Sequence, residues 1–276
     1  FSVNISTKDT NHKNHDIEGT MNTNNTDISP ELFHESLHKD INKPVLDYRK
    51  KWVPAKKRHV KIHSGAHRAD WSVVNINLKN KTIDISVYLN FKKNSLTETD
   101  YRKLKILASE GIAQYWSRNI KLSNSTYIVK VQAHHRSINA IPVDLYIETD
   151  EGEYGRSMNP AMLGIDASFI YNKGAFGDYR TDLDFRLVSA HEFGHSVLMY
   201  AGGLPLSWGH KGSTNPLTQS VKGTTPGYPK SGNIDLMKYY DWDKGRIDFL
   251  RRVTDTVAME MDVKRLIWGA EIKWEK

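Results

Sequence analysis

The residues most able to do chemistry lie in one pentapeptide, His191-Glu192-Phe193-Gly194-His195. On a helix, positions four apart share a face, so both imidazoles can turn toward one cation. Glu192 follows the first of them and can take a proton from a water that the cation polarises. The chain has 12 His in 276 residues and as many Glu, so random placement would produce this pattern in roughly two chains per hundred. The setting of the pentapeptide must therefore decide its meaning. Hydrolytic zinc needs three protein ligands and one open position, so a third group must come from outside the helix. The downstream candidates are His210, in Trp208-Gly209-His210-Lys211, and Asp235, in Ile234-Asp235-Leu236-Met237; Asp241, Asp243 and Glu260 follow. His210 can instead donate a hydrogen bond to an oxyanion, and Asp235 can orient a ligating His or cap a turn. With no cysteine in the chain, disulfides, thiolate metal sites, iron–sulfur clusters and a thiol nucleophile are excluded. The expected cofactor is a zinc ion held by His191, His195 and either His210 or Asp235.

Several elements must position these groups. Apolar periodicity predicts the site-bearing helix over Asp182–Ala201, capped by Asp182 or Asp184 and ended by Gly202-Gly203 and Pro205. A long helix over Thr97–Asn119, with Thr97 as N-cap, carries an apolar face of Leu104, Leu107, Ala108, Ile112, Tyr115 and Trp116. Alternation predicts a strand at His59–His63 and a hairpin of Trp71–Leu78 with Ile83–Phe91. Further strands are expected at Tyr127–Val131, Ile141–Ile147 and Gly164–Tyr171. The last of these precedes the site-bearing helix, and its edge could pair with an extended peptide. One last helix is expected from Asp243 to Met261. Residues 1–43 are polar and read as a linker or weakly ordered lead-in, with 44–276 as the folded domain. The chain begins at Phe1, which suggests a piece of a longer protein.

A net charge of +7 favours anionic surroundings. The basic residues are scattered apart from a cluster at Arg49, Lys50, Lys51, Lys56, Lys57 and Arg58, and no nucleic-acid motif accompanies them, so no nucleic-acid partner is expected. No apolar run reaches about 18 residues, so no membrane span is expected.

The pentapeptide helix resembles the active-site helix of zincin metallopeptidases. Ile234-Asp235-Leu236-Met237-Lys238-Tyr239 is similar to the Met-turn of the metzincin branch. That resemblance implies Met237 beneath the metal and Tyr239 as a transition-state stabiliser. The metzincin pattern continues with Gly and His where Leu198 and Ala201 stand here, which leaves the third ligand open between His210 and Asp235. The stretch 183–241 resembles the metallopeptidase toxin domains attached to VgrG, PAAR and Rhs proteins of type VI secretion systems, with weaker likeness over 50–276. That likeness implies an α+β, zincin-like fold with a mixed, mostly antiparallel sheet, an active-site helix and a long backing helix. It favours Asp235 as the completing ligand. It also implies a secreted antibacterial effector delivered to the periplasm of a target cell, a VgrG- or PAAR-type carrier, a protein or peptide substrate and an immunity protein. The expected activity is zinc endopeptidase, with Glu192 as general base and His210 or Tyr239 steadying the oxyanion. The alternatives are an inactive zincin-like binding domain and an amidohydrolase of cell-wall amides.

Overall fold

The computed structural model describes residues 29–41, 60–61, 69–122, 124–149, 155–160 and 165–274. The basic cluster between 49 and 58 lies outside them, as does most of the strand expected at 59–63; only β1 (Val60–Lys61) is described there. Two long helices and an eight-stranded mixed sheet make up the body.

The hairpin forms as its alternation requires. β2 (Ser72–Asn77) and β3 (Thr82–Lys92) pair antiparallel, from Ser72 opposite Val87 to Asn77 opposite Thr82. Next come α2 (Glu98–Trp116), β4 (Arg118–Leu122), β5 (Ser125–His135), β6 (Ile141–Glu148) and β7 (Ala167–Asn172). Long β3 serves as the spine. Its first part pairs with β5 and its last residues, from Leu89, pair with β6, both parallel. β7 adds parallel to β6. β10 (Glu271–Trp274) joins β2 in parallel and carries β1 antiparallel on its other side. Parallel pairs thus predominate, which corrects the mostly antiparallel expectation. The crossover through α2 returns the chain in the same direction, as parallel pairing demands.

Thr97 caps α2 as expected, its side chain accepting from the Asp100 amide. The site-bearing helix, α3, runs Asp178–Gly202. It starts a turn before the expected capping residues, after Gly177, whose φ of 77° only glycine adopts freely. Gly111 lets α2 cross α3 closely: a Cβ there would stand 2.2 Å from the Arg186 carbonyl oxygen. The last expected helix is instead two, α5 (Phe249–Asp255) and α6 (Glu260–Gly269), separated by β9 (Thr256–Val257), which pairs with β8 (Ile234–Asp235). Two features break the expected helix: a cap inside it delays its start, and the pairing of β9 with β8 separates α5 from α6. Asp248 accepts from the Arg251 amide and starts a new helix inside the continuous apolar pattern.

The polar lead-in expected over 1–43 contains a helix, α1 (Pro30–Asp40). Ser29 caps it and Pro30 opens it, a standard start signal. Phe33, Leu37 and Ile41 then recur every four residues and are buried. Phe33 meets Tyr127 and Trp274 edge to face. Three apolar anchors on one stripe suffice to dock a short helix in an otherwise polar stretch. Among the described residues no helix is long and apolar enough to cross a membrane.

Candidate metal centre

α3 carries His191 and His195 on one face, and the loop after it returns a third imidazole to them. α3 ends at Gly203, α4 (Leu204–Ser207) reverses the chain, and a short helical turn begins at His210. His210 and Lys211 both take left-handed backbone conformations, with φ of 43° and 55°. Such angles cost a non-glycine residue energy and persist only where neighbours enforce them. Here Lys211 Nζ is held by Asp262, fully buried at 2.8 Å, and also by Asp235. That buried pairing turns the His210 side chain toward the helix.

One ring nitrogen from each of His191, His195 and His210 lies within 4.8 Å of the other two. The ring planes make a corner: His191 and His210 are stacked at 5.3 Å, and His195 stands across both, at 87° and 83°. Hydrogen bonding decides which nitrogens are free. His191 Nδ1 is 2.6 Å from the Leu236 carbonyl, an acceptor only, so Nδ1 carries the proton. His195 Nδ1 meets Ser207 Oγ at 3.1 Å, and that hydroxyl already donates to the His195 carbonyl at 2.9 Å, so it must accept from the ring. His210 Nδ1 meets Thr214 Oγ1 at 2.8 Å, whose proton goes to the Trp208 carbonyl at 2.9 Å. Every Nδ1 is thus protonated and used, and every Nε2 keeps its lone pair. The Nε2 atoms of His191 and His210 are buried and have no hydrogen-bond partner, at a cost of about 1–3 kcal/mol each. A cation binding all three would relieve it. Oriented imidazoles of one tautomer are what metal-ligating His residues require.

Burial keeps the rings neutral. It holds the His191 imidazolium down to about 4 and that of His210 to about 3, and His195 goes well below its ordinary value. Neutral rings need lose no proton to bind a cation. Burial acts oppositely on Glu192, raising its carboxyl to about 8 against the pull of Arg156. Glu192 Oε2 lies 3.9 Å from His195 Nε2, beside the trio.

Asp235 does not join the trio, contrary to the lean toward it as ligand. One carboxylate oxygen accepts from the Met237 amide at 3.0 Å, and the other is paired with Lys211. Asp235 holds the turn and the cation behind His210, so it orients the site from outside. Asp241 accepts from the Asp243 amide and pairs with Lys244, and Glu260 pairs with Lys264; none of the three acidic alternatives reaches the cluster. Met237 is fully buried under α3. A Cβ on Gly194 would stand 2.1 Å from its sulfur and 2.9 Å from the Trp116 ring, so a larger residue at the second variable position of the pentapeptide would push the Met237 thioether aside. With the Leu236 carbonyl on His191, this turn braces the helix from below.

Tyr239 stacks on His210 at 3.7 Å and faces His191 at 5.7 Å. Its hydroxyl accepts from Arg156 at 3.2 Å. Sequence reasoning passed over Arg156. Residues 155–160 lie along the outer side of β7: Met158 exchanges two backbone hydrogen bonds with Ser168, at 3.0 and 2.8 Å. Asn159 donates to the Glu192 carbonyl and to Ser196 Oγ, at 2.7 and 2.9 Å. The chain itself therefore covers the edge that was expected to receive a substrate strand. The only sequence signal was the run of polar residues before β7. Two cavities open at the site, of about 380 and 210 Å³, and Arg156, Ser157, Glu192 and Tyr239 line both. His191 faces the larger and His195 the smaller.

Compared with family models, with curated proteins and with solved structures, the chain gives no match.

Proposed function

We propose that the chain is a zinc-dependent peptidase, with His191, His195 and His210 as the metal ligands and Glu192 as general base. The observation that supports it best is the convergence of three rings, each with Nδ1 spent and Nε2 free, beside a buried carboxylate on an open cleft. Three imidazoles suit zinc, copper, iron or nickel, and hydrolysis without redox chemistry selects zinc. When bound, the ion supplies Lewis acidity to a carbonyl oxygen and acidity to a water.

The remaining work falls to the chain. Beside a cation held by the three rings, Glu192 would favour the carboxylate over the neutral acid that burial favours, and the carboxylate takes the proton of the attacking water as the water oxygen bonds to the carbonyl carbon. It passes that proton to the amine nitrogen as the carbon–nitrogen bond breaks. One water is consumed, and a carboxylate and a protonated amine leave, the nitrogen keeping both of the water's protons. The Tyr239 hydroxyl accepts from Arg156, so its own proton is free for the oxygen on which charge develops. An inactive binding domain has no use for a carboxylate buried among neutral rings, where ionisation is costly. Cell-wall amides offer the same chemistry, and parallel digestion of peptidoglycan and a protein panel separates the two substrates.

The test pairs metal analysis with digestion. Dialysed wild type should hold about one zinc per chain, and His191→Ala, His195→Ala and His210→Ala should lose it. Glu192→Gln should keep zinc and cleave about 10²–10⁴-fold more slowly. Undiminished cleavage by Glu192→Gln would overturn the mechanism. The likeness of 183–241 to secretion-system toxins supports a target in the periplasm. Wild type exported there should then arrest growth and Glu192→Gln should not; equal growth of the two would remove that part of the reading.

A further inference from the structure

The walls of the cleft carry charges of both signs, and most neutralise one another. Arg252 pairs with Asp184, and Asp235 with Lys211. Two cations on the wall of the larger cavity, Arg156 and Lys238, form no ion pair with a carboxylate among the described residues, and Arg156 acts on buried Glu192 only through its field. Among the described residues, the side-chain hydrogen bond of Arg156 runs from one guanidinium nitrogen to the Tyr239 hydroxyl, and four of its five N–H donors meet no described acceptor. Arg156 also stands where the two cavities meet, over Glu192 and Tyr239.

Its backbone is anchored on both sides. Gly155 O accepts from Asn172 Nδ2 at 3.0 Å, Ser157 Oγ accepts from the Ile170 amide at 2.9 Å, and Met158 pairs with Ser168. The guanidinium is therefore presented to the cleft from a fixed base, tied to β7 and through Asn159 to α3. An exposed arginine with free donors, held still beside reacting groups, suits bidentate recognition of a planar anion.

We propose that Arg156, with Lys238 on the same cavity wall, makes this site selective for substrates bearing a carboxylate near the bond that is cut. The carboxylate is an Asp or Glu side chain or a free C-terminus. The inference rests on the peptidase reading and names its substrate class. Arg156 acts on the substrate's anion, and Lys238 adds charge without fixed geometry. The overall excess of basic residues acts in the same direction by drawing acidic chains toward the cleft.

Binding without turnover tests the inference separately from catalysis. The probes are fluorescein-labelled alanine-rich peptides: one with a central Glu and an amidated end, its Gln counterpart, and that Gln counterpart with a free C-terminus. Anisotropy with zinc-loaded Glu192→Gln should show the Glu peptide or the free-acid peptide binding about tenfold tighter than the amidated Gln peptide. The tighter of the two tells which carboxylate is read. The advantage should fade at high salt, disappear in Glu192→Gln/Arg156→Ala and partly return with Arg156→Lys. Equal binding of all three probes overturns the proposal. So does an Arg156→Ala change that weakens all three equally, which would mark Arg156 as a general support for Tyr239. Mass spectrometry of a proteome-derived peptide digest gives the second readout. Wild type should enrich acidic residues at one position near its cuts, and Arg156→Ala should lower kcat/KM for acidic peptides about tenfold more than for neutral ones. Cuts without acidic enrichment refute selectivity and leave the peptidase reading standing. No cuts by wild type refute the peptidase reading, and the anisotropy result then judges the anion site alone.

Discussion

Replacing Thr214 with valine removes one hydroxyl and almost no volume, and it isolates the hydrogen bond that sets the His210 tautomer. Thr214 is fully buried, as is His210, so water cannot take the lost oxygen's place. In the variant His210 Nδ1–H loses its acceptor at 2.8 Å, while the Trp208 carbonyl keeps a donor in Gln219 Nε2 at 3.1 Å. The perturbation thus falls mainly on the ring. An unsatisfied buried donor costs about 1–3 kcal/mol. The ring can recover part of that only by moving its proton or turning, and either takes Nε2 out of the cluster. Loss of such a partner lowers metal affinity about 10–100-fold, which is about 1.4–2.7 kcal/mol and agrees with the hydrogen-bond figure. Chelator competition measures zinc affinity directly, and Thr218→Val, at an exposed site in the same loop, serves as control. Wild-type zinc affinity in Thr214→Val, with the fold intact by circular dichroism, would refute the claim that Nδ1 is protonated and Nε2 ligates.

Three further outcomes follow from the packing and charges. Gly194→Ala should lower stability by about 1–3 kcal/mol, since its methyl would meet the Met237 sulfur at 2.1 Å; a thermal midpoint within a degree of wild type would show that the turn yields freely. Asp235→Asn should keep its zinc and lose about 2 kcal/mol of stability, because Lys211 is left with Asp262 alone; zinc loss with an unchanged midpoint would return Asp235 to the ligand set. Burial opposes the charge on Lys264, but hydrogen bonds to Asp40 and Glu260 outweigh it and raise the pKa above its ordinary value. A raised lysine contributes stability that is complete below its unfolded pKa, about 10.4, and is lost as pH climbs through the folded value. Urea titrations from pH 9 to 11.5 should show that loss in wild type and a flatter curve in Lys264→Met; identical slopes would refute it.

Local signals read well where they were self-sufficient. The hairpin at 72–92, the Thr97 cap and the pentapeptide on a helix each depend on residues a few positions apart, and all appear at their expected places. The end of the chain read less well. A single apolar period ran from 243 to 261, but the Asp248 cap and the pairing of β9 with β8 cut it. The second of these is a partnership with residues some twenty positions earlier. The direction of strand pairing was also beyond local reading, because alternation sets which face is buried and says nothing of a neighbour's direction.

The site divides the same way. Helical geometry alone brings His191 and His195 onto one face and sets Glu192 next to them, since positions four apart coincide on any α-helix. The choice of His210 over Asp235 needed the whole chain. It depends on a left-handed turn at His210 and Lys211, enforced by a buried ion pair to α6, fifty residues on. It depends equally on Asp235 being drawn to that same Lys211 and to the Met237 amide. Arg156 is more remote still: it reaches Tyr239 only because Met158 pairs with β7 and Asn159 ties the segment to α3. Contacts at such separations follow from the competition of every buried polar group for a partner, which no window of sequence contains.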